Sequence, residues 1–430
     1  MILKRPLSNL SFKKSNLVPN IFKNYRPESK LCRPESKLVE KIVASRLNEH
    51  IDAHGLSEKF QSAYRKYHST ESALLRVQND INMALQNRKL CALVLLDLSS
   101  AFDTINHSRL LSRLSTRYGI SDTALAWINS YLSDRTQRVS VEGYFSPDAP
   151  LLTGVPQGSV LGPILFTMFM APVGDILRDH GISHHFYADD TQIYVFFDVK
   201  DSDSACHLLE TCVQHVKEWM LVNGLKLNDD KTEVILIGSR YFRSKLSDFS
   251  IKVGENNVCS VSSVRNLGVI FNQSLSMETF VFKKCQIAVL NLRSIAGMRK
   301  YMDVDIAKTL IQKMVISKLD YGNGLLYGVN KKLMRKLQLI QNSAARPISK
   351  IPRRTQILRH LHWLPIEARV HIKVLRICFK CLNGRGPQYL SDLLLQYTPK
   401  RALRSSSQLQ LVIPKTKSKF GERAFEVFAP

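Results

Sequence analysis

Residues His184–Phe197 read HHFYADDTQIYVFF, and residues Cys91–Leu98 read CALVLLDL. The first stretch is rich in aromatic and β-branched residues around a charged pair. It predicts a strand, a tight turn and a second strand, with Asp189 and Asp190 at the tip. The second is a short apolar run that closes on Asp97 and Leu98, and predicts a strand covered on both faces. An unpaired carboxylate at the end of so apolar a strand is costly to bury. Each acid has a plain reading when taken alone: the Asp pair as turn residues, Asp97 as a cap on the following turn. Taken together they suggest more. Magnesium prefers hard oxygen ligands, with water and substrate phosphates completing its shell. Carboxylates from separate strands can hold two such ions about 3.5–4 Å apart. One ion then activates an attacking 3′-hydroxyl and the other neutralises a departing pyrophosphate, as nucleotidyl transfer requires.

Between the two stretches lies Gly154–Ser159, GVPQGS, ahead of a helical pattern. Glycines allow close backbone approach to a ligand, and a helix N-terminus favours phosphate. The plain reading here is a structural turn.

Working outward, apolar periodicity predicts helices over about 36–54, 69–86, 107–118, 122–133 and 202–223. A hairpin is expected over 136–153, turning near Gly143. A helix from about Val160 to Asp179 should carry Pro163 in its first turn and be kinked by Pro172. Two or three short strands are expected between 231 and 272. The pattern after Met277 is mainly helical to about 345, where Pro347 interrupts it. Interleaved strands and helices followed by a helical segment indicate an α+β class. Residues 1–35 are basic and have no clear period. Within them RPESKL occurs at Arg26–Leu31 and again at Arg33–Leu38; it reads as a local duplication.

The 430 residues carry 61 Lys and Arg against 36 Asp and Glu, a net charge of +25. From Lys331 to Pro430 there are 21 basic and 4 acidic residues, so the last hundred carry most of the excess. Such a balance attracts polyanions and makes nucleic acid the default partner. The eight cysteines are scattered, with no disulfide framework, which suits reduced thiols. Cys378 and Cys381 form a lone CxxC on a helical pattern. His360, His362 and His371 do not complete a zinc spacing, so packed core thiols are expected. The N-terminus shows no apolar signal core, and no apolar run reaches the roughly 20 residues of a membrane span.

The chain resembles the reverse transcriptases of LINE-type (non-LTR) retrotransposons. The resemblance rests on LVLLDLSSAFDTINH (Leu93–His107), GVPQGSVLGPILF (Gly154–Phe166), YADD (Tyr187–Asp190), LKLNDDKTE (Leu225–Glu233) and VRNLGVIF (Val264–Phe271). QSAYRKYHSTESALL (Gln61–Leu75) fits the fingers motif. KLDYGNGLLYG (Lys318–Gly328) and LHWLP (Leu361–Pro365) look like thumb and post-thumb segments. The resemblance covers nearly the whole chain from about residue 24.

It implies a right-hand polymerase with a mainly helical, basic C-terminal region. Residues 1–35 would form a basic N-terminal segment, 36–272 the fingers and palm, 273–345 a helical thumb and 346–430 the basic C-terminal region. By the same similarity Asp97 and Asp189 would ligate two Mg²⁺ ions, for which Mn²⁺ could substitute. The carbonyl of Leu98 would lie near one ion, and Asp190 would be the neighbouring carboxylate. Phe102 would block a ribose 2′-hydroxyl and select deoxynucleotides. Gln157 and Gly158 would pack against incoming nucleotide and template, and Arg65 would contact the triphosphate or the template backbone. Lys231 would protonate leaving pyrophosphate, and an ordinary lysine carries that proton at neutral pH. Partners implied are an RNA template, a DNA primer and dNTPs. The family's autonomous elements also carry an endonuclease, expected here from a separate source. Nuclear placement, with passage through the cytoplasm, follows from the family's way of life.

The sequence departs from the family pattern at the duplicated RPESKL after Asn24–Pro27 and at Asn272, where the family often has Asp. An RNA-directed RNA polymerase would need a partner for the 2′-hydroxyl in place of an aromatic block, and usually has Gly where Ala188 stands. A non-catalytic nucleic-acid-binding remnant would need the charge alone, yet all three aspartates are present.

Overall fold

The computed structural model describes residues 6–12, 25–31, 34–99, 102–141, 144–156, 158–246, 248–349, 357–397 and 410–430. Two strands come first, β1 (Pro6–Phe12) and β2 (Tyr25–Leu31), paired antiparallel. The segment that showed no clear period therefore contains a ladder. Its other neighbour lies over a hundred residues away, with Leu7 beside Arg138, so nothing local announces it. The first copy of RPESKL lies within β2, whereas the second runs into helix α1 (Pro34–Ala53). One hexapeptide in two conformations shows tertiary context overriding weak local preference.

Helix α2 (Thr70–Gln86) starts at a capping box, in which Ser69 accepts from the Ser72 amide and the Ser72 hydroxyl accepts from the Ser69 amide. Then come β3 (Leu90–Leu96) and the two-residue β4 (Leu98–Ser99). Helices α3 (His107–Tyr118) and α4 (Asp122–Leu132) follow, then β5 (Thr136–Val141), β6 (Tyr144–Phe145) and β7 (Ala149–Pro150), the last two pairing with β5. Gly143, the expected turn, lies outside the described residues. The expected 160–179 helix is two, α5 (Gly162–Met170) and α6 (Pro172–Asp179), broken at the proline that cannot donate an amide.

The hairpin of β8 (Ser183–Tyr187) and β9 (Asp190–Phe197) leads into α7 (Ser202–Val222), the short β10 (Lys226–Leu227) and β11 (Glu233–Ile237). Strands β12 (Ser250–Val253), β13 (Asn256–Cys259), β14 (Ser263–Asn266) and β15 (Val269–Asn272) complete the series. Five strands thus stand where two or three were expected. The β14–β15 turn explains part of the shortfall: Leu267 takes a positive φ of 43° beside Gly268 at 82°. Turns of this kind usually announce themselves by Asn or Asp at that position. Helices occupy Glu278–Met298, Val304–Ile311, Lys331–Ser349 and Ile366–Leu382, and Pro347 is accommodated inside the third.

The central sheet has the order β11-β3-β9-β8, antiparallel throughout. Alternate residues of β3 serve two cores. Leu90, Ala92, Val94 and Leu96 pack with α1 and α3–α7. Cys91 and Leu93 pack with α2 and the later helices. Burial on both faces is why this strand reads as an unbroken apolar run. Cys378 and Cys381 are buried free thiols in the second core. No helix among the described residues is long and apolar enough to cross a membrane.

Candidate active site

The sheet register assembles the site. Leu96 of β3 faces Thr191 of β9, so one step further along the ladder sets Asp97 beside Asp190. Tyr187 pairs with Asp190 and leaves Ala188 and Asp189 as a two-residue turn. Ala188 is held at φ +59°, a left-handed conformation uncommon for a residue with a Cβ. The Asp97 carbonyl accepts from the Asn228 amide at 2.9 Å. Asn228 opens the turn Asp229–Lys231, which Lys217 steadies through a 2.6 Å ion pair to Asp229. From this turn Lys231 reaches back, and its Nζ lies 2.9 Å from Asp97 Oδ2. Leu98 is buried in β4, opposite Leu227 of β10.

Asp190 is open to solvent along its outer edge. Partial burial, then the charges of Asp189 and Asp97, nevertheless push its carboxyl up to about 6. Excess negative charge is therefore concentrated where a cation would relieve it. Among the described residues no three His, Cys, Asp or Glu side chains are close enough to hold an ion as they stand. The donor set nonetheless fits magnesium in kind: carboxylate oxygens on two adjacent strand ends, open to water. A recess of about 140 Å³ is lined by Asp97, Asp190, Lys231, Gln192, Glu233 and Arg265. A larger groove of about 730 Å³ shares Glu233 and Arg265 and adds Lys283, Lys318 and Tyr321.

Phe102 is half-buried and stacks on Phe166, ring centres 4.4 Å apart. Its carbonyl accepts from the Val155 amide at 2.8 Å, and the Ile105 carbonyl accepts from Gly154 at 2.7 Å. This docking requires glycine at 154: φ is +86°, and a Cβ would come within 2.7 Å of the Asp103 carbonyl oxygen. Gly158 is exposed at φ +79°, and Gln157 lies outside the described residues. The α5 N-terminus is occupied by protein. Glu40 Oε2 accepts from the amides of Val160 and Leu161 at 2.6 and 3.3 Å, and Ser159 Oγ accepts from Gly162 at 2.9 Å. Those three amides are not free for phosphate.

Arg65 is half-buried and donates through Nη1 to the carbonyls of Glu58 and Gln61, at 3.1 and 3.3 Å. The segment containing it lies against β8. Sequence reasoning missed its Gln61, a buried side chain that bonds to the backbone of Ala188. It also missed Gln192, Glu233 and Arg265 in the recess. The quoted family motifs contain Glu233 and Arg265, whereas nothing local distinguishes Gln192.

A model of the family "Reverse transcriptase (RNA-dependent DNA polymerase)" matches residues 12–271. The chain is similar to the probable RNA-directed DNA polymerase from transposon BS of Drosophila melanogaster, 26% identical over 89% of this chain and 42% of that protein. It is also similar to the RNA-directed DNA polymerase from mobile element jockey of the same species, 25% identical over 79% and 37%. The chain thus spans about two-fifths of the length of these relatives. Apo telomerase from Candida tropicalis aligns at TM-score 0.48 and 11% identity over 81% of this chain and 58% of that one, a likeness too loose to bear on function. The matched motifs and the mobile-element relatives bear out the LINE-type resemblance, and the chain belongs to the reverse transcriptase family.

Proposed function

We propose that the chain is an RNA-directed DNA polymerase that extends a 3′-hydroxyl primer with dNTPs, as part of a non-LTR retrotransposon. The observation that carries this is the meeting of Asp97 and Asp190 at adjacent strand ends, with Asp189 in the turn and Asp190 raised to about 6 by burial and its acidic neighbours. Asp97, Asp189 and Asp190, with the Leu98 carbonyl, would hold two Mg²⁺ ions, or Mn²⁺ in their place. Bound there, the ions supply a lowered pKa for the attacking hydroxyl and charge neutralisation on the pyrophosphate.

The chain's own groups do the rest. Asp97, engaged as a metal ligand, would give up its ion pair with Lys231. Freed, the Lys231 ammonium faces the leaving pyrophosphate and can deliver a proton to it. Phe102, backed by Phe166, fills the space that a ribose 2′-hydroxyl would need. By the family resemblance, Gln157 and Gly158 would pack against incoming nucleotide and template, and Arg65 would contact the triphosphate or the template backbone. The groove with Arg265, Lys283 and Lys318 offers cations to a nucleic-acid backbone, and the net charge of +25 speeds encounter. The protein works in the nucleus after passage through the cytoplasm.

The reading is tested by incubating the chain with an RNA template, an annealed DNA primer and dNTPs, before and after chelation of divalent ions. Extension that stops on chelation and resumes with added Mg²⁺ is expected. Extension indifferent to chelation, or none with either ion, contradicts it.

A further inference from the structure

The turn that presents Asp189 is held by a residue outside the palm. Gln61 is 4% exposed, and its Oε1 accepts from the Ala188 amide at 3.1 Å and the Ala63 amide at 2.9 Å. Its Nε2 donates toward the Ala188 carbonyl at 3.5 Å. Both polar groups of Ala188 are therefore engaged by one side chain, at the residue that adopts φ +59°. That conformation is disfavoured for a residue with a Cβ. It persists only when its surroundings over-determine it.

Gln61 is itself fixed on either side. The Phe60 carbonyl accepts from the Phe186 amide at 2.9 Å, and the Ser62 amide donates to the Phe186 carbonyl at 3.0 Å. The segment thus lies along the free edge of β8 as a short parallel addition to the sheet. Beyond it, the Ser62 hydroxyl is 2.8 Å from His185 Nε2 and 2.7 Å from the Tyr389 hydroxyl, which donates to Ser72 at 3.0 Å. Arg65 closes the other end by donating to the Gln61 carbonyl.

We propose that Gln61 is a positioning residue for the metal-binding turn: its carboxamide clamps Ala188 in the left-handed conformation and so fixes the direction of Asp189. The proposal rests on the two-metal reading above. Gln61 touches no reacting atom. It acts through Ala188, and it places the fingers segment one residue away from the carboxylate pair. A side chain of similar size without polar atoms leaves the Ala188 amide buried and unpaired, which favours relaxation of the turn.

The test compares wild type with Gln61→Leu, Ser62→Ala and the double variant Gln61→Leu/Ala188→Gly. Hydrogen exchange of peptides covering 187–190 is measured without metal or substrate. The Mg²⁺ concentration for half-maximal primer extension is measured in parallel. Gln61→Leu should speed exchange in the turn by about tenfold, the consequence of one lost buried hydrogen bond. It should also raise the Mg²⁺ requirement several-fold. Glycine at 188 tolerates positive φ and should return part of the Mg²⁺ affinity. Ser62→Ala removes a neighbouring bond on the same segment and should leave the Mg²⁺ requirement unchanged, which separates positioning from general destabilisation. Unchanged exchange in Gln61→Leu, or an equal Mg²⁺ shift in Ser62→Ala, overturns the proposal. A wild type without metal-dependent extension counts against the two-metal reading, while the exchange experiment still decides whether the clamp exists.

Discussion

The Lys231 ammonium donates to Asp97 Oδ2 at 2.9 Å, a bond between a lysine on a short turn and the acid that ends the central strand. The lysine is 65% exposed and Asp97 31%, so the pair adds under about 1 kcal/mol to stability. Its value lies in placing an ammonium beside the carboxylates. Lys231→Met should leave the melting temperature within about a degree or two. It should slow single-turnover nucleotide addition by about a hundredfold or more, the ordinary yield of a positioned general acid. Quench-flow extension beside a thermal melt checks both. An unslowed rate would remove Lys231 from the chemistry.

Asp190 carries a pH signature. Its folded pKa of about 6 lies above the roughly 3.9 of an unfolded aspartate. Between those values the folded chain keeps a proton that the unfolded chain has lost. Stability of the metal-free protein therefore falls as pH rises through about 4 to 6, and the penalty persists above it. Asp190→Asn should raise the metal-free melting temperature at pH 7.5 and show a shrinking advantage toward pH 4. The gain stays under about 1 kcal/mol, because solvent along the open edge screens the repulsion. Added Mg²⁺ should stabilise wild type and have little effect on the variant. Identical melts at both pH values would contradict this account.

Phe102 stacks on Phe166 with its ring partly open to solvent. Phe102→Val opens the space assigned to a ribose hydroxyl. The preference for dNTP over rNTP in competition assays should drop by roughly 10–200-fold, the range that steric selection in a pocket supports. A ratio unchanged in a folded variant would make Phe102 a packing residue only.

Glu40 is fully buried on α1 and accepts from two amides at the start of α5. Glu40→Ala strands those donors and should cost roughly 1–3 kcal/mol per unsatisfied group. Urea denaturation checks the loss. An unchanged midpoint would show that solvent replaces the cap.

The sequence disclosed what its local patterns encode. The β3 run, the YADD hairpin and the α2 stripe are periodic or contiguous, and the structure has them within a few residues of the expected bounds. Asp97 stood out because a charge closing an apolar strand conflicts with burial, and the Asp189–Asp190 pair because it sits at the tip of a predicted hairpin. Contacts that depend on distant chain were not legible. Gln61 and Ala188 are 127 residues apart, and Glu40 meets α5 across 120. Strand β1 pairs with β5 across more than a hundred residues. The duplicated RPESKL has no single conformational preference to read, since one copy is strand and the other runs into a helix.

Asp189 and its neighbours are proposed to hold the metals of a DNA polymerase. Primer extension on an RNA template with Mg²⁺ and dNTPs tests it most directly, with wild type compared against Asp189→Asn and RNA binding measured in parallel. Expected are extension by wild type, loss of extension in the variant and unchanged salt-sensitive RNA binding by both. Salt-sensitive RNA binding without extension by the wild-type chain, or extension that survives Asp189→Asn, would contradict it.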